Sequence, residues 1–98
     1  LAKASLEASV RYLAASMGPD QIRVNAISAG PIRTLAASGI AGFKHMLDKC
    51  AQQNMLKRNV CPSEVAKTTL FLLSDLSSAL TGQTIDVDCG FSKTAMVF

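Results

Sequence analysis

The most informative part of the sequence is Arg23-Val-Asn-Ala-Ile-Ser-Ala-Gly-Pro-Ile-Arg-Thr34. Apolar residues dominate its first half, which predicts a buried strand over Ile22–Ser28. The strand is expected to stop at Ala29-Gly30-Pro31 and to open into a polar turn that ends at Thr34. In an open α/β sheet, ligands bind at the carboxyl ends of parallel strands, so this turn is a candidate binding site.

The turn has two interpretations. Gly30 allows a backbone or a flat ring to approach closely, and Pro31 fixes its own φ. The main chain of Ile32 could then face a planar amide while Thr34 binds an anion, an arrangement suited to a nicotinamide and a diphosphate. Gly-Pro turns are common, however, and on these residues alone an ordinary strand followed by a turn is favoured.

Composition limits the class of protein. The chain has 98 residues, enough for one small domain, and 49% of them are hydrophobic, which indicates a packed core rather than disorder. The net charge is +3 with no basic block, so nothing suggests a nucleic-acid partner. No apolar run approaches the length of a membrane span. The three cysteines, Cys50, Cys61 and Cys89, form no C-x-x-C spacing and are expected to be reduced thiols in a cytoplasmic protein.

The predicted elements follow the order helix, strand, lid, helix, helix, strand and tail. They are expected at about Leu1–Met17, Ile22–Ser28, Leu35–Ile40, Gly42–Gln53, Pro62–Ser74 and Thr84–Asp88, followed by an apolar tail, Phe91–Phe98. Strands that alternate with helices imply a parallel sheet. Two strands are too few for a stable sheet, so further strands should lie upstream or in a partner chain. The sequence also begins inside a predicted helix, and we therefore expect a fragment or the visible part of a longer chain.

Local signals predict how the helices end and what they bury. Two helices should be apolar along one face, the first at Leu6, Val10, Leu13 and Met17 and the second at Phe43, Met46, Leu47 and Cys50. Gly18 should end the first helix as a C-cap glycine. Cys61 should cap the last helix, which is so apolar that most of it should be buried.

Few side chains suggest catalysis by themselves. Lys3 and Tyr12 lie on the first predicted helix, where a solvated lysine and a helix-face tyrosine are commoner than a cofactor contact and an acid catalyst. Asp86 and Asp88 share one side of a strand and could do acid–base work, but a solvated or capping role is favoured. His45 has no partner at metal-ligand spacing, so no metal site is expected. The sequence contains no glycine-rich dinucleotide motif or P-loop.

Arg23–Thr34, taken with Lys3-Ala-Ser-Leu-Glu7 and Asp86–Phe91, resembles bacterial enoyl-acyl-carrier-protein reductase. This NADH-dependent family of the short-chain dehydrogenase/reductase superfamily completes each round of fatty-acid elongation. The similarity runs from Leu1 to about Met96, and the Ala-Gly-Pro at the strand end differs from the Pro-Gly of most superfamily members. It implies a Rossmann-type doubly wound parallel sheet, with residues 1–98 as the C-terminal part of a single domain and a substrate-binding loop at about 35–46.

The resemblance also implies roles for individual residues. Lys3 would be the catalytic lysine that binds the nicotinamide-ribose hydroxyls of NADH. The other cofactor contacts would be Ala29, Gly30, Pro31, Ile32 and Thr34, with the main chain on the carboxamide and Thr34 on the diphosphate. The acyl pocket would be lined by Ala36, Ala37, Ile40, Phe43 and Met46.

The implied reaction is hydride transfer from NADH to the β-carbon of a trans-2-enoyl thioester carried by acyl carrier protein, in a cytoplasmic homotetramer. The tyrosine and the glycine-rich diphosphate loop of the family would lie upstream of Leu1. Cys89 stands where the family commonly has a glycine, and Cys61 replaces a usual Thr cap. Two alternatives remain: another short-chain reductase with a different substrate, and a non-catalytic fragment that serves as an assembly module.

Overall fold

The chain forms helices and short strands in a computed structural model that describes residues 2–32 and 39–96. Helix α1 covers Ala2–Met17, strand β1 Ala26–Ala29, helix α2 Phe43–Gln53, helix α3 Pro62–Leu73 and strand β2 Thr84–Val87, with 3-10 helices at Gly18–Asp20, Asp75–Ser77 and Phe91–Met96. The predicted order of helices and strands is confirmed. Most of the predicted lid, Leu35–Ile40, lies outside the described residues. None of the helices within these ranges is long and apolar enough to cross a membrane.

The two strands pair with each other in parallel. Ala26 N–H donates to Gln83 O at 2.8 Å, and Gly30 N–H donates to Val87 O at 3.1 Å. Donor and acceptor both advance by four residues, from 26 to 30 and from 83 to 87, which is the pattern of parallel strands. The parallel arrangement predicted from the alternation of strands and helices is therefore confirmed.

Strand β1 is shorter than the predicted strand Ile22–Ser28, and its residues are half-buried or exposed rather than buried. The side chain of Asn25 replaces a pair of ladder hydrogen bonds: its Nδ2 donates to Leu80 O at 3.0 Å, and its Oδ1 accepts from Gln83 N at 3.1 Å. Because a side chain satisfies these main-chain groups, regular strand pairing begins only at Ala26.

The chain divides into two compact units. The first contains Leu1–Ser28 and Lys67–Ile85, and its buried apolar residues are Val10, Ala14 and Leu72. The second contains Ala29–Ala66 and Asp86–Phe98, and its buried apolar residues are Leu47, Cys50 and Val60.

Helix α1 buries only part of its predicted apolar face. Val10 and Ala14 are 5% and 7% exposed, whereas Leu6 and Leu13 are 58% and 46% exposed. The absence of a side chain at Gly82 allows Ala14 to be buried, because a Cβ built on Gly82 would lie 3.5 Å from the Ala14 Cβ. Within the described structure, the predicted stripe is therefore buried at Val10 but not at Leu6, Leu13 or Met17, and the helix packs through Val10 and the smaller Ala14.

The end of helix α1 also departs from the prediction. A short 3-10 helix follows α1, and the left-handed residue is Gln21, with φ 63°, rather than Gly18. Gln21 N–H donates to Gly18 O at 2.8 Å. Pro19 adopts a helical φ without strain, so the chain continues through it and reverses direction three residues later than predicted.

Helix α3 is much more exposed than its composition predicted. Leu72 is buried, but Leu70, Phe71 and Leu73 are 68%, 41% and 77% exposed. A two-stranded sheet offers too little surface to cover a helix that is apolar on more than one side. The prediction that most of this helix is buried is therefore wrong for the described part of the chain.

Helix α2 follows its predicted periodicity. Leu47 and Cys50 are buried and Phe43 is half-buried, whereas Met46 is 41% exposed. The helix is preceded by Gly42 at φ 79°, a left-handed conformation that glycine adopts without a steric penalty. The predicted boundaries, Gly42–Gln53, differ from the observed ones by one residue.

Candidate functional site

Gly30 lies just beyond strand β1, where the chain leaves the sheet. A Cβ built on Gly30 would lie 3.0 Å from the Asp88 Cβ and 3.5 Å from Val60 Cγ1. The 3.0 Å distance is shorter than an ordinary contact between carbon atoms, so a side chain at position 30 would force Asp88, in the chain that follows strand β2, to shift. The close backbone approach predicted at Gly30 is made by Asp88.

Asp88 caps the turn that follows strand β2. It is 8% exposed, its Oδ1 accepts from Gly90 N at 3.0 Å, and its Oδ2 accepts from Ser92 N at 2.9 Å. Asp86 is exposed. The solvated or capping role favoured for this pair is therefore confirmed, with Asp88 as the capping residue and Asp86 exposed.

The turn after Asp88 uses two residues with positive φ, Cys89 at 56° and Gly90 at 87°. A Cβ on Gly90 would lie 2.7 Å from the side chain of Met55, so a glycine is required there. Cys89 adopts a conformation that costs a non-glycine residue about 1 kcal/mol. Its backbone explains why a glycine would suit this position.

Lys3 lies at the start of helix α1, exposed at the rim of a cavity of about 280 Å³. The cavity lies between helix α1 and the strands, and its lining residues are Ala2, Lys3, Leu6, Glu7, Ala26, Ile27, Ser28 and Thr84. Most of this lining is apolar. The structure therefore places Lys3 on the same cavity as Ala26, Ile27 and Ser28 of strand β1, within the first unit.

The predicted cofactor contacts at the strand end all belong to the second unit. Ala29 is exposed, whereas Gly30, Pro31 and Ile32 are half-buried. Thr34, the predicted diphosphate contact, lies outside the described residues.

The predicted acyl-pocket residues are described in part. Ala36 and Ala37 lie outside the described residues. Ile40 is 62% exposed, and its carbonyl oxygen accepts from Phe43 N at 3.2 Å, which leads the chain into helix α2. Phe43 and Met46 follow on the first turn of that helix. The structure thus brings Ile40, Phe43 and Met46 together on one continuous segment.

Arg23 has a structural role that the sequence did not reveal. Its Nη1 donates to Ser77 O at 2.9 Å, to Ser77 Oγ at 3.0 Å and to Leu80 O at 3.3 Å, and its Nη2 donates to Ser74 O at 3.2 Å. The guanidinium therefore satisfies three carbonyl groups of the segment after helix α3. An arginine beside an apolar strand was the available signal, but its acceptors are more than 50 residues away.

Glu64 links the start of helix α3 to Arg58. Arg58 donates to both carboxylate oxygens, at 2.7 and 2.9 Å, and Glu64 Oε1 also accepts from Cys61 N at 2.9 Å. The hydrogen bonds from Arg58, and then that from Cys61, lower the pKa of Glu64 to about 2. The pairing with Glu64 raises the pKa of Arg58 in turn. Cys61 occupies the predicted cap position, and its main-chain N–H donates to Glu64 Oε1.

A buried asparagine closes the loop between helices α2 and α3. Asn54 is 1% exposed and its Nδ2 donates to Arg58 O at 2.7 Å, while Asn59 Nδ2 donates to Leu47 O at 2.8 Å. These bonds fix the loop to helix α2. Asn54 Oδ1 has no hydrogen-bond partner among the described residues.

The remaining candidates do not form a metal or disulfide site. Cys50, Cys61 and Cys89 are free thiols, and His45 is exposed. Within residues 2–32 and 39–96, no group of three His, Cys, Asp or Glu side chains could hold a metal ion.

Two parallel strands with helices, and a cavity lined by Lys3 between helix α1 and the strands, define an α/β protein. Residues 1–92 match the profile of a family described as enoyl-(acyl carrier protein) reductase. The chain belongs to the enoyl-(acyl carrier protein) reductase family.

Individual relatives and solved structures agree with this assignment. The chain is 62% identical over 91 residues to enoyl-(acyl-carrier-protein) reductase (NADPH) of Staphylococcus aureus, strain MRSA252, covering 93% of this chain and 36% of the relative. It is 56% identical over 96 residues to enoyl-(acyl-carrier-protein) reductase (NADH) of Escherichia coli K12, covering 98% of this chain and 37% of the relative. The chain thus spans a little more than a third of the length of these relatives.

Comparison with solved structures also supports the assignment of the fold. The enoyl-acyl carrier protein reductase of Bacillus cereus, solved with NADP+ and indole naphthyridinone, has a TM-score of 0.83 and 53% identity and covers 91% of this chain and 35% of that one. The enoyl-(acyl-carrier-protein) reductase (NADH) of Aquifex aeolicus has a TM-score of 0.83 and 41% identity, over 94% of this chain and 35% of that one. The chain therefore has part of the Rossmann-type fold of these enzymes.

Proposed function

We propose that this chain is the C-terminal part of an NADH-dependent enoyl-acyl-carrier-protein reductase, which reduces trans-2-enoyl thioesters in the last step of each fatty-acid elongation cycle. The observation that carries the proposal is the family match over residues 1–92, together with 56–62% identity to relatives of that name. Because the chain spans little more than a third of those relatives, the activity is proposed for the longer protein that contains it.

The residues fit a nicotinamide cofactor. Lys3 is an exposed cation at the rim of a largely apolar cavity, where its ammonium group would hold the ribose hydroxyls. The cofactor, when bound, would supply the hydride. Lys3 would favour the negative charge that develops next to the ribose, since a cation in a partly dry site acts strongly on a nearby anion.

The strand end would orient the nicotinamide. Ala29, Gly30, Pro31 and Ile32 would present their main chain to the carboxamide, and Thr34 would contact the diphosphate. The tight packing of Gly30 on Asp88 supports this role, because it gives the turn a fixed position in the second unit. The relatives are named with both NADPH and NADH, and we propose NADH for this chain.

The acyl group would be held by a loop at about residues 35–46 within the single domain. Ala36, Ala37, Ile40, Phe43 and Met46 would line or cover the chain of the substrate. The exposure of Ile40 and Met46 supports this role, because apolar side chains that line a binding site are accessible before the ligand arrives.

We also propose that the protein is a cytoplasmic homotetramer and that its substrate is attached to acyl carrier protein. Helix α1 supports the association, because the large side chains of Tyr12 and Leu13 are exposed on it.

The proposal is tested by assaying the full-length protein with NADH and a trans-2-enoyl thioester on acyl carrier protein. We expect NADH to be consumed, and to be consumed more slowly with a 3-oxoacyl thioester. Reduction of the carbonyl substrate alone would identify a different short-chain reductase. No turnover of either substrate by a folded protein would favour a non-catalytic assembly role. Replacing NADH with NADPH tests the cofactor preference in the same assay.

A further inference from the structure

We propose that Glu7 is a positioning residue for Lys3 when a ligand fills the cavity between helix α1 and the strands: its carboxylate then restrains the lysine ammonium at the cavity wall. The inference rests on the proposed function, because Lys3 is the residue that would meet the cofactor ribose.

The spacing on helix α1 places the two side chains on one face. Residues four apart lie one above the other on a helix, with about 6 Å of rise between them. Both Lys3 and Glu7 line the cavity, and Glu7 is half-buried whereas Lys3 is exposed. Glu7 is therefore the less exposed residue of the pair, and Lys3 lies one turn nearer the start of the helix.

The other described residues that line the cavity carry no positive charge that could interact with Glu7. Four lining residues are apolar, Ala2, Leu6, Ala26 and Ile27, and two carry hydroxyl groups, Ser28 and Thr84. Lys3 is the one cation among the lining residues of the described structure. A carboxylate in a mainly apolar wall is stabilised by the nearest positive charge, and that stabilisation grows when a ligand displaces water from the cavity.

Arg11 is a second cation on the same helix that could interact with Glu7. Arg11 lies four residues after Glu7 on helix α1, is exposed, and does not line the cavity. Glu7 makes no ion pair within 4 Å with Lys3 or Arg11 in the described structure. The position of the cavity distinguishes Lys3 from Arg11 as a partner for Glu7. A bound ligand would exclude water between Glu7 and Lys3 but would leave Arg11 in solvent.

The expected consequence falls on cofactor binding. A lysine side chain loses considerable rotamer freedom when it binds a ligand, and a fixed carboxylate nearby removes part of that freedom beforehand. Glu7 should therefore lower the dissociation constant of NADH and change the chemical step little.

The test compares Glu7→Gln with the unsubstituted full-length protein by fluorescence titration with NADH, which needs no turnover. We expect the dissociation constant to rise about three- to tenfold, with kcat changed less than twofold. Glu7→Asp should recover part of the loss. Asp86→Asn, which removes an exposed carboxylate outside the cavity, should leave the NADH dissociation constant unchanged.

A double substitution shows whether Glu7 acts through Lys3. In a Lys3→Met background, Glu7→Gln should produce no further rise in the dissociation constant. An equal rise in that background, the same rise from Arg11→Met, or no rise from Glu7→Gln would each overturn the inference. Loss of turnover with enoyl thioesters in a protein that still binds NADH would overturn the proposed function alone.

Discussion

Arg58 donates two hydrogen bonds to Glu64, and the same carboxylate accepts a third from the main chain of Cys61. One side chain thus joins the loop before helix α3 to the first turn of that helix. The arrangement completes half of a capping box, because the carboxylate at the third helical position satisfies the main-chain N–H of the cap residue.

This relationship predicts a pH dependence of stability. The pKa of Glu64 is lowered to about 2 in the folded protein from a usual value of 4.5. The folded state therefore favours the ionised carboxylate, and its contribution is complete above pH 4.5 and is lost as the pH falls to about 2. Thermal unfolding of Glu64→Gln against the unsubstituted protein should show a lower Tm at pH 7. The two Tm values should converge below pH 3, and a constant difference down to pH 2 would contradict the assignment.

Gly30 predicts a steric effect at the strand end. A Cβ there would lie 3.0 Å from the Asp88 Cβ, so Gly30→Ala should lower the free energy of unfolding by about 1–3 kcal/mol. Gly18→Ala is the matched control, because no atom lies within 4 Å of its Cβ position. Equal unfolding midpoints in urea for both variants would show that the turn relaxes without cost.

Arg23 should be important for stability rather than for binding. Arg23→Met leaves the carbonyl groups of Ser74, Ser77 and Leu80 without their guanidinium donor, which should cost about 2–3 kcal/mol. Arg23→Lys should recover only part of the loss, since an ammonium group lacks the planar fork of the guanidinium. Arg11→Met, on the exposed surface of α1, provides the comparison in chemical denaturation.

Lys3 provides the test of the proposed cofactor site. In the full-length protein, Lys3→Ala should weaken NADH binding or turnover more than tenfold, because a charge-assisted hydrogen bond to ribose would be removed. Lys67→Ala removes another exposed lysine of the first unit and should change neither quantity. An unchanged rate and KM in Lys3→Ala would exclude the ribose contact.

The elements of this fold could be predicted where local periodicity controls them. Helix α2 begins and ends within one residue of the prediction, because its apolar face recurs at helical spacing. Strand β1 was predicted too long, since the Asn25 side chain takes over main-chain hydrogen bonds that a sequence pattern does not report.

The sequence did not predict contacts between residues that are far apart in the chain. The contact between Gly30 and Asp88 joins residues 58 positions apart, and no local signal pairs them. The large apolar side chains of helix α3 predicted burial, but periodicity does not say which surface is available to cover them. The chemistry of Lys3 and of the strand end allowed the proposed roles without favouring them, and the family resemblance turned those roles into expectations.

The left-handed backbone at Cys89 also bears on how this sequence can change over generations. A cysteine codon becomes a glycine codon when a single base is replaced. Since glycine adopts φ 56° without a steric penalty, that mutation would relieve the backbone strain at this position. We therefore expect natural variation at this position to include glycine, and β-branched side chains, which tolerate this conformation worst, to be selected against.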